Sequence, residues 1–98
     1  MKNESKLQAE IIRYLKRKGC YVIKTAPGAG TPVGCPDIIA LYGNEWLVIE
    51  CKVSAKSEFQ PLQEITLKNL KKMSPFVYIV HKDNWNKIRT ELENTFLS

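Results

Sequence analysis

Ile38-Ile39-Ala40-Leu41-Tyr42-Gly43-Asn44-Glu45-Trp46-Leu47-Val48-Ile49-Glu50-Cys51-Lys52 is the stretch that decides the fold. Two apolar runs flank Gly43-Asn44, a two-residue hairpin signal. The runs read as strands over 38–42 and 46–53. If Gly43-Asn44 alone makes the turn, Tyr42 pairs with Glu45, Leu41 with Trp46 and Ile39 with Val48. Carrying that register outward sets Asp37 opposite Glu50. Their side chains then share one face, with Cβ atoms about 5 Å apart. Lys52, two residues beyond Glu50, points to the same face.

Two carboxylates at that separation repel by about 3 kcal/mol at an effective dielectric near 20. The strands around them are apolar, so full hydration is not expected. Either one carboxyl keeps a proton or a cation lies between them. A divalent ion with oxygen ligands, Mg²⁺ or Mn²⁺, suits the pair, because no imidazole or paired thiolate is near in sequence. Lys52 adds little to such a cluster as a simple ion pair. It fits if an anion such as a phosphodiester must be held beside the metal, where an ammonium stabilises developing negative charge or orients an attacking water. The plainer alternative is that Asp37 caps a loop, while Glu50 and Lys52 form a surface ladder pair.

Working outward, Leu7, Ile11, Ile12 and Leu15 recur at helical spacing and predict a helix over 5–18, stopped by Gly19. Residues 21–25 read as a strand. Ala26-Pro27-Gly28-Ala29-Gly30-Thr31-Pro32-Val33-Gly34-Cys35-Pro36 is a Gly/Pro-rich loop of a length that is often functional. Beyond the hairpin, Pro61–Met73 reads as a helix with Leu62, Ile65, Leu70 and Met73 toward the core. Residues 76–80 read as an apolar strand buried on both faces, and 84–95 as a last helix capped by Asp83. Trp46 and Trp85 sit in apolar patterns and read as core. The order is αβββαβα, an α/β chain with a mixed central sheet flanked by helices.

Ninety-eight residues suit one domain over 1–98. Hydrophobic residues at 44% and charged residues at 26% match a folded globular chain rather than a disordered one. No apolar run approaches the roughly 20 residues of a membrane span, and the N-terminus has no apolar secretory core, so a cytoplasmic location is expected. Three widely spaced cysteines and one histidine support neither a disulfide framework nor a zinc site. A net charge of +5 suits a polyanionic partner.

Gly34-Cys35-Pro36-Asp37 followed by Glu50-Cys51-Lys52 resembles the signature of the PD-(D/E)XK nuclease superfamily. The Gly-x-Pro-Asp form, with a glutamate on the first helix and a glutamine on the helix after Glu-x-Lys, resembles the VRR-NUC family within it. The resemblance implies a restriction-endonuclease-like fold and a metal-dependent endonuclease. It implies that Asp37 and Glu50 ligate metal, with the backbone carbonyl of Cys51 as a third ligand. Lys52 would be the catalytic lysine, Glu10 the helix glutamate that helps hold metal, and Gln63 the glutamine beside the site. The chain departs from the family where relatives have a glycine between the second helix and the last strand; here the residues are Ser74-Pro75.

Members reduced to the nuclease domain are similar to Holliday-junction resolvases, which implies a homodimer acting on branched DNA. Gly28 and Gly30 in the loop, with Lys24 and Thr25 before it, are candidates for contact with a nucleic-acid backbone. Arg13, Lys16 and Arg17 on the first helix, and Lys68, Lys71 and Lys72 on the second, are candidates for phosphate contacts. The competing readings are a non-catalytic nucleic-acid-binding module and a nuclease subunit targeted by a helicase or other partner.

Overall fold

A computed structural model describes residues 2–97, with side chains from Glu4 onward. The elements are α1 (Lys2–Arg17), β1 (Tyr21–Lys24), β2 (Ile38–Tyr42), β3 (Glu45–Cys51), α2 (Pro61–Met73), β4 (Val77–Val80) and α3 (Trp85–Asn94). The hairpin turn forms at Gly43-Asn44, and Gly43 takes φ +62°, while among the described residues none other than glycine has positive φ. A positive φ at the first central position alone marks a type II′ turn, which suits the twist of the two strands. The register is the one counted from the sequence: Tyr42 faces Glu45, Leu41 faces Trp46 and Ile39 faces Val48.

The sheet order is β1-β2-β3-β4. β1 and β2 are antiparallel, as are β2 and β3, while β3 and β4 run parallel across the α2 connection. Alternation gives each face its own residues. Ile38, Ala40, Leu47, Ile49 and Cys51 point inward with Val80, onto Leu7, Ile11 and Leu15 of α1 and Ile88 and Leu92 of α3. Each buried aliphatic side chain stabilises the fold by about 1.5–3 kcal/mol. α1 and α3 are tied to each other as well. Tyr14 stacks edge-on against Trp85 at 5.5 Å, and its hydroxyl donates to Glu93 Oε2 at 2.6 Å.

The outer face differs from expectation. Only Leu67 of α2 is fully buried; Leu62, Ile65 and Met73, expected in the core, are exposed, and Leu70 is half-buried. Trp85 is core, but Trp46 is exposed. The reason is coverage. A helix about 10 Å wide spans about two strands spaced 4.8 Å apart. The inner face has two helices for four strands, whereas the outer face has α2 alone. β4 is an edge strand, and only Val80 in it is fully buried, against an expectation of burial on both faces.

Two ends also depart from the reading. The N-cap of α3 is Asn84, not Asp83, and its side chain makes no capping bond. Instead Asn84 accepts from the His81 N–H at 2.8 Å and donates to the Ile79 carbonyl at 3.0 Å, binding the helix start to β4. At the end of α2, Ser74 is extended at φ −144°, so no glycine is required there. Its hydroxyl donates to the Trp46 carbonyl at 2.8 Å and accepts from the Phe76 N–H at 3.1 Å.

Candidate active site

The Gly/Pro-rich loop delivers Asp37 to the end of β2. Thr25, at the end of β1, fastens the loop's last residues: its N–H donates to the Asp37 carbonyl at 3.0 Å and its hydroxyl donates to the Pro36 carbonyl at 2.6 Å. Gly34 sits at φ +85°, and a Cβ there would lie 2.8 Å from the Leu62 carbonyl oxygen in the first turn of α2. Glycine is thus required both for its conformation and for the close approach of loop to helix. Gly28 and Gly30 are also left-handed, but open space surrounds them. A cleft of about 470 Å³, lined by Thr25, Gly28, Gly34, Cys35 and Asp37 among others, opens in front of the loop.

Asp37 and Glu50 meet at the rim of the outer face. Asp37 Oδ2 accepts from the main-chain N–H of Cys51 at 2.8 Å. Among the described residues Glu50 is the one buried charged residue, 2% exposed. Gln63 Nε2 donates to Glu50 Oε2, and Gln63 Oε1 accepts from Lys52 Nζ at 2.9 Å. Lys52 Nζ also lies 3.5 Å from Glu50 Oε2, donates to the Glu58 carbonyl at 3.3 Å and stands 4.4 Å from the centre of the Phe59 ring. The other oxygen of Glu50, Oε1, is buried with no hydrogen-bond partner. Burial, then the Asp37 charge, pushes the Glu50 carboxyl up to about 7. Asp37 is raised too, chiefly by burial, with the Cys51 N–H and the Lys52 charge acting the other way.

The remaining expected residues are placed as follows. Glu10 does not join the acidic pair. It is exposed, and its Oε2 accepts from Trp85 Nε1 at 3.2 Å. Glu4, also on α1, is half-buried, and its charge, after those of Asp37 and Glu50, helps raise the Cys51 thiol. A signal for Glu4 exists in the sequence, since it continues the stripe of Leu7 and Ile11 while Glu10 falls beside it. Cys51, expected to offer its carbonyl to a metal, donates its main-chain N–H to Asp37. Lys24 is exposed, and its charge lowers the Asp37 carboxyl. Arg13, Lys16 and Arg17 are exposed on α1. Because α1 runs antiparallel to β1, its last turn, with Lys16 and Arg17, lies at the far end of the sheet from Asp37.

The residues fit a divalent cation. A buried carboxylate with one orphaned oxygen, facing a second carboxylate, is an arrangement that a hard cation relieves. Among the described residues no group of three or more His, Cys, Asp and Glu side chains gathers at ligand spacing. The pair would therefore share the ion with main-chain, phosphate or water oxygens.

The profile of the family described as archaeal Holliday junction resolvase (Hjc) matches residues 2–96. Comparison with curated proteins gives no match. Among solved structures, the chain is similar to the 1.6 Å structure of Archaeoglobus fulgidus Hjc, a Holliday junction resolvase from an archaeal hyperthermophile. The TM-score is 0.56 and the identity 21%, over 79% of this chain and 65% of that one. The chain thus spans just under two thirds of that relative's length. At this identity the likeness establishes the fold, which is restriction-endonuclease-like. No helix among the described residues is long and apolar enough to cross a membrane. With the profile running over nearly all of its residues, the chain belongs to the archaeal Holliday junction resolvase (Hjc) family.

Proposed function

We propose that the chain is a metal-dependent DNA endonuclease that cuts branched DNA, a four-way junction foremost, as one nuclease domain over 1–98 acting in a homodimer. One observation carries this reading: the buried Glu50 carboxyl, with an orphaned oxygen, opposite Asp37 and beside Lys52. A buried like-charge pair without a full set of partners costs stability. Its position on the loop-side rim, next to an open cleft, gives that cost a purpose.

A Mg²⁺ or Mn²⁺ ion held by Asp37 and Glu50 would polarise the scissile phosphate and make a nearby water more acidic. The chain supplies the rest. Gln63 holds Glu50 and Lys52 with the two ends of one amide, so carboxylate and ammonium keep a fixed spacing. Lys52 Nζ then stabilises the negative charge that develops on the phosphate oxygens as water attacks. Glu4 completes the acidic set from α1, in place of Glu10. The loop glycines Gly28 and Gly30 let a phosphate backbone approach closely, with Lys24 and Thr25 beside them. The Pro-Asp, Glu-x-Lys and Gln63 pattern supports a VRR-NUC-like branch within the resolvase-like nucleases.

The test is incubation of labelled four-way junction, flap, duplex and single-stranded DNA with Mg²⁺, Mn²⁺ or EDTA, beside Lys52→Ala. Paired cuts across the junction, lost in EDTA and in the variant, are expected. Cuts in flaps or single strands alone would remove the junction preference. Binding without cleavage under any ion would overturn the enzymatic reading in favour of a non-catalytic module, or of a subunit awaiting a partner.

A further inference from the structure

We infer that the pocket at the carboxyl ends of β3 and β4 is a second phosphate subsite, which grips the substrate backbone next to the phosphate being cut through Ser54, Ser57 and His81. This rests on the reading above for its substrate, but the subsite is read from its own donors. β3 and β4 run parallel, with Cys51 opposite Val80 as their last pair, and the Lys52 N–H donates to the Val80 carbonyl at 2.8 Å. Ligands of α/β sheets gather in the crevice beyond the carboxyl ends of parallel strands. Here two turns follow those ends, 54–57 after β3 and 81–84 after β4. Between them lies a pocket of about 250 Å³, lined by Lys52, Ser54, Ser57, Phe59, His81 and Asn84 among others.

The polar groups of this pocket are donors left over from the fold. The Ser57 hydroxyl accepts from the Ser54 N–H at 3.2 Å, and the Ser54 hydroxyl accepts from the Lys56 N–H at 3.2 Å. Neither hydroxyl proton has an acceptor among the described residues. His81 Nδ1 accepts from the Asp83 N–H at 3.3 Å, so the neutral ring carries its proton on Nε2, which has no partner there either. Asn84, the N-cap of α3, spends its side chain on His81 and Ile79 instead of on the helix, so the positive end of α3 stays uncapped beside the pocket. No aspartate or glutamate lines the pocket; Glu58 and Asp83 are near in sequence but outside the lining. Half-buried donors without acceptors, a helix N-terminus and the Lys52 ammonium on one wall suit a tetrahedral oxyanion rather than a cation or an apolar group.

The place of the pocket in the sheet says which oxyanion. Hydrogen bonds lead across one end of the sheet from Thr25 to Asp37, from Asp37 to Cys51 and from Lys52 to Val80. The loop cleft stands at the β1–β2 side of this line, the acidic pair in its middle and the Ser54–His81 pocket at the β3–β4 side. A DNA strand laid along the line, with its scissile phosphate at the acidic pair, brings a neighbouring phosphate to the pocket. Lys52 belongs to both places, 3.5 Å from Glu50 and on the pocket wall, so its ammonium stands between two phosphates. A backbone gripped at the neighbouring phosphate fixes which bond meets the acidic pair, and the grip carries no base information.

The test is binding of labelled four-way junctions in Ca²⁺, each with one phosphate within two nucleotides of the exchange point replaced by a neutral methylphosphonate. The proteins are wild type, the double variant Ser57→Ala/His81→Phe and the donor-keeping Ser57→Thr/His81→Gln, with melting to verify each fold. In wild type, neutralising one phosphate beside the cut is expected to weaken binding about tenfold. The double variant is expected to bind the unmodified junction about tenfold more weakly and to be indifferent to that replacement, while the donor-keeping variant recovers most of the loss. A merely structural role would weaken both junctions alike. His81→Phe alone leaves the 54–57 turn untouched and gives the same comparison if the double variant does not fold. A variant as sensitive as wild type at every position, or a wild type sensitive at none, overturns the subsite even if cleavage is found. A position-specific loss that the variant cancels, with no cleavage by wild type in Mg²⁺ or Mn²⁺, upholds the subsite and removes the endonuclease reading instead.

Discussion

The main-chain N–H of Cys51 donates to Asp37 Oδ2 at 2.8 Å, tying the carboxylate that precedes β2 to the strand that carries Glu50. Asp37 thereby keeps a donor, while Glu50 Oε1 has none. The two acids are held side by side on different terms: one hydrogen-bonded to the backbone, one partly unsatisfied. Most of the expected behaviour of the site follows from that inequality.

Glu50→Gln removes the buried charge and keeps the shape. In EDTA at pH 8 the variant is expected to melt higher than wild type by several degrees. A carboxyl pushed up to about 7 from 4.5 implies a penalty of up to about 3 kcal/mol in its ionised form. Cleavage should be lost. Calorimetry and a junction assay on the same preparation check both halves, and a lower melting temperature would show that Glu50 stabilises the metal-free fold.

Stability of the metal-free protein should fall as pH rises. The folded state holds the Glu50 proton up to about pH 7, while the unfolded chain releases it near 4.5. Between those values folding takes up a proton, so the stabilisation is complete below about 4.5 and lost by about 7. The raised Asp37 carboxyl acts in the same direction. Melting curves in EDTA from pH 5 to 8 should show a decline, and Mg²⁺ or Mn²⁺ at pH 8 should restore the loss.

Glu4→Gln and Glu10→Gln separate the two acids of α1. Glu4→Gln is expected to lower cleavage about tenfold or more at unchanged melting temperature. Glu10→Gln should leave cleavage nearly intact and the melting temperature close to wild type, because the amide oxygen still accepts from Trp85 Nε1. Initial rates and thermal melts for the two variants decide the assignment, and the reverse pattern would return Glu10 to the site.

Gly34→Ala should cost about 2 kcal/mol and reduce cleavage, because its Cβ meets the Leu62 carbonyl and its φ is left-handed. Gly30→Ala has the same conformational strain but open space around it. It should cost about half as much and leave the site in place. Chemical denaturation of the pair measures the difference.

Phe59→Leu should weaken the hold on Lys52, whose ammonium stands 4.4 Å from the ring. A loss of about 0.5–2 kcal/mol of cation–π attraction should appear in kcat rather than KM, with rescue by Phe59→Tyr. Equal rates for Leu and Tyr would show that the ring only fills space.

The order of elements, the hairpin register and the pairing of Asp37 with the Glu50 strand were legible in the chain, because a two-residue turn and a period of two leave one way to count. The Glu50 and Lys52 placement followed from the same count. What the sequence could not decide was coverage. Leu62, Ile65, Met73 and Trp46 carry the periodicity of core residues, yet one helix over four strands leaves them in solvent. Periodicity tells which side chains share a face, and only the packing of whole elements tells whether anything lies against it. The choice between Glu4 and Glu10 was tertiary for a related reason. Both lie on one helix, and the crossing of that helix over the sheet sets which carboxylate turns to Trp85 and which is felt at the Cys51 thiol. The orphaned oxygen of Glu50 is likewise a product of assembly, since it depends on β3, α2 and the Asp37 loop meeting at one point and desolvating a charge none of them holds alone.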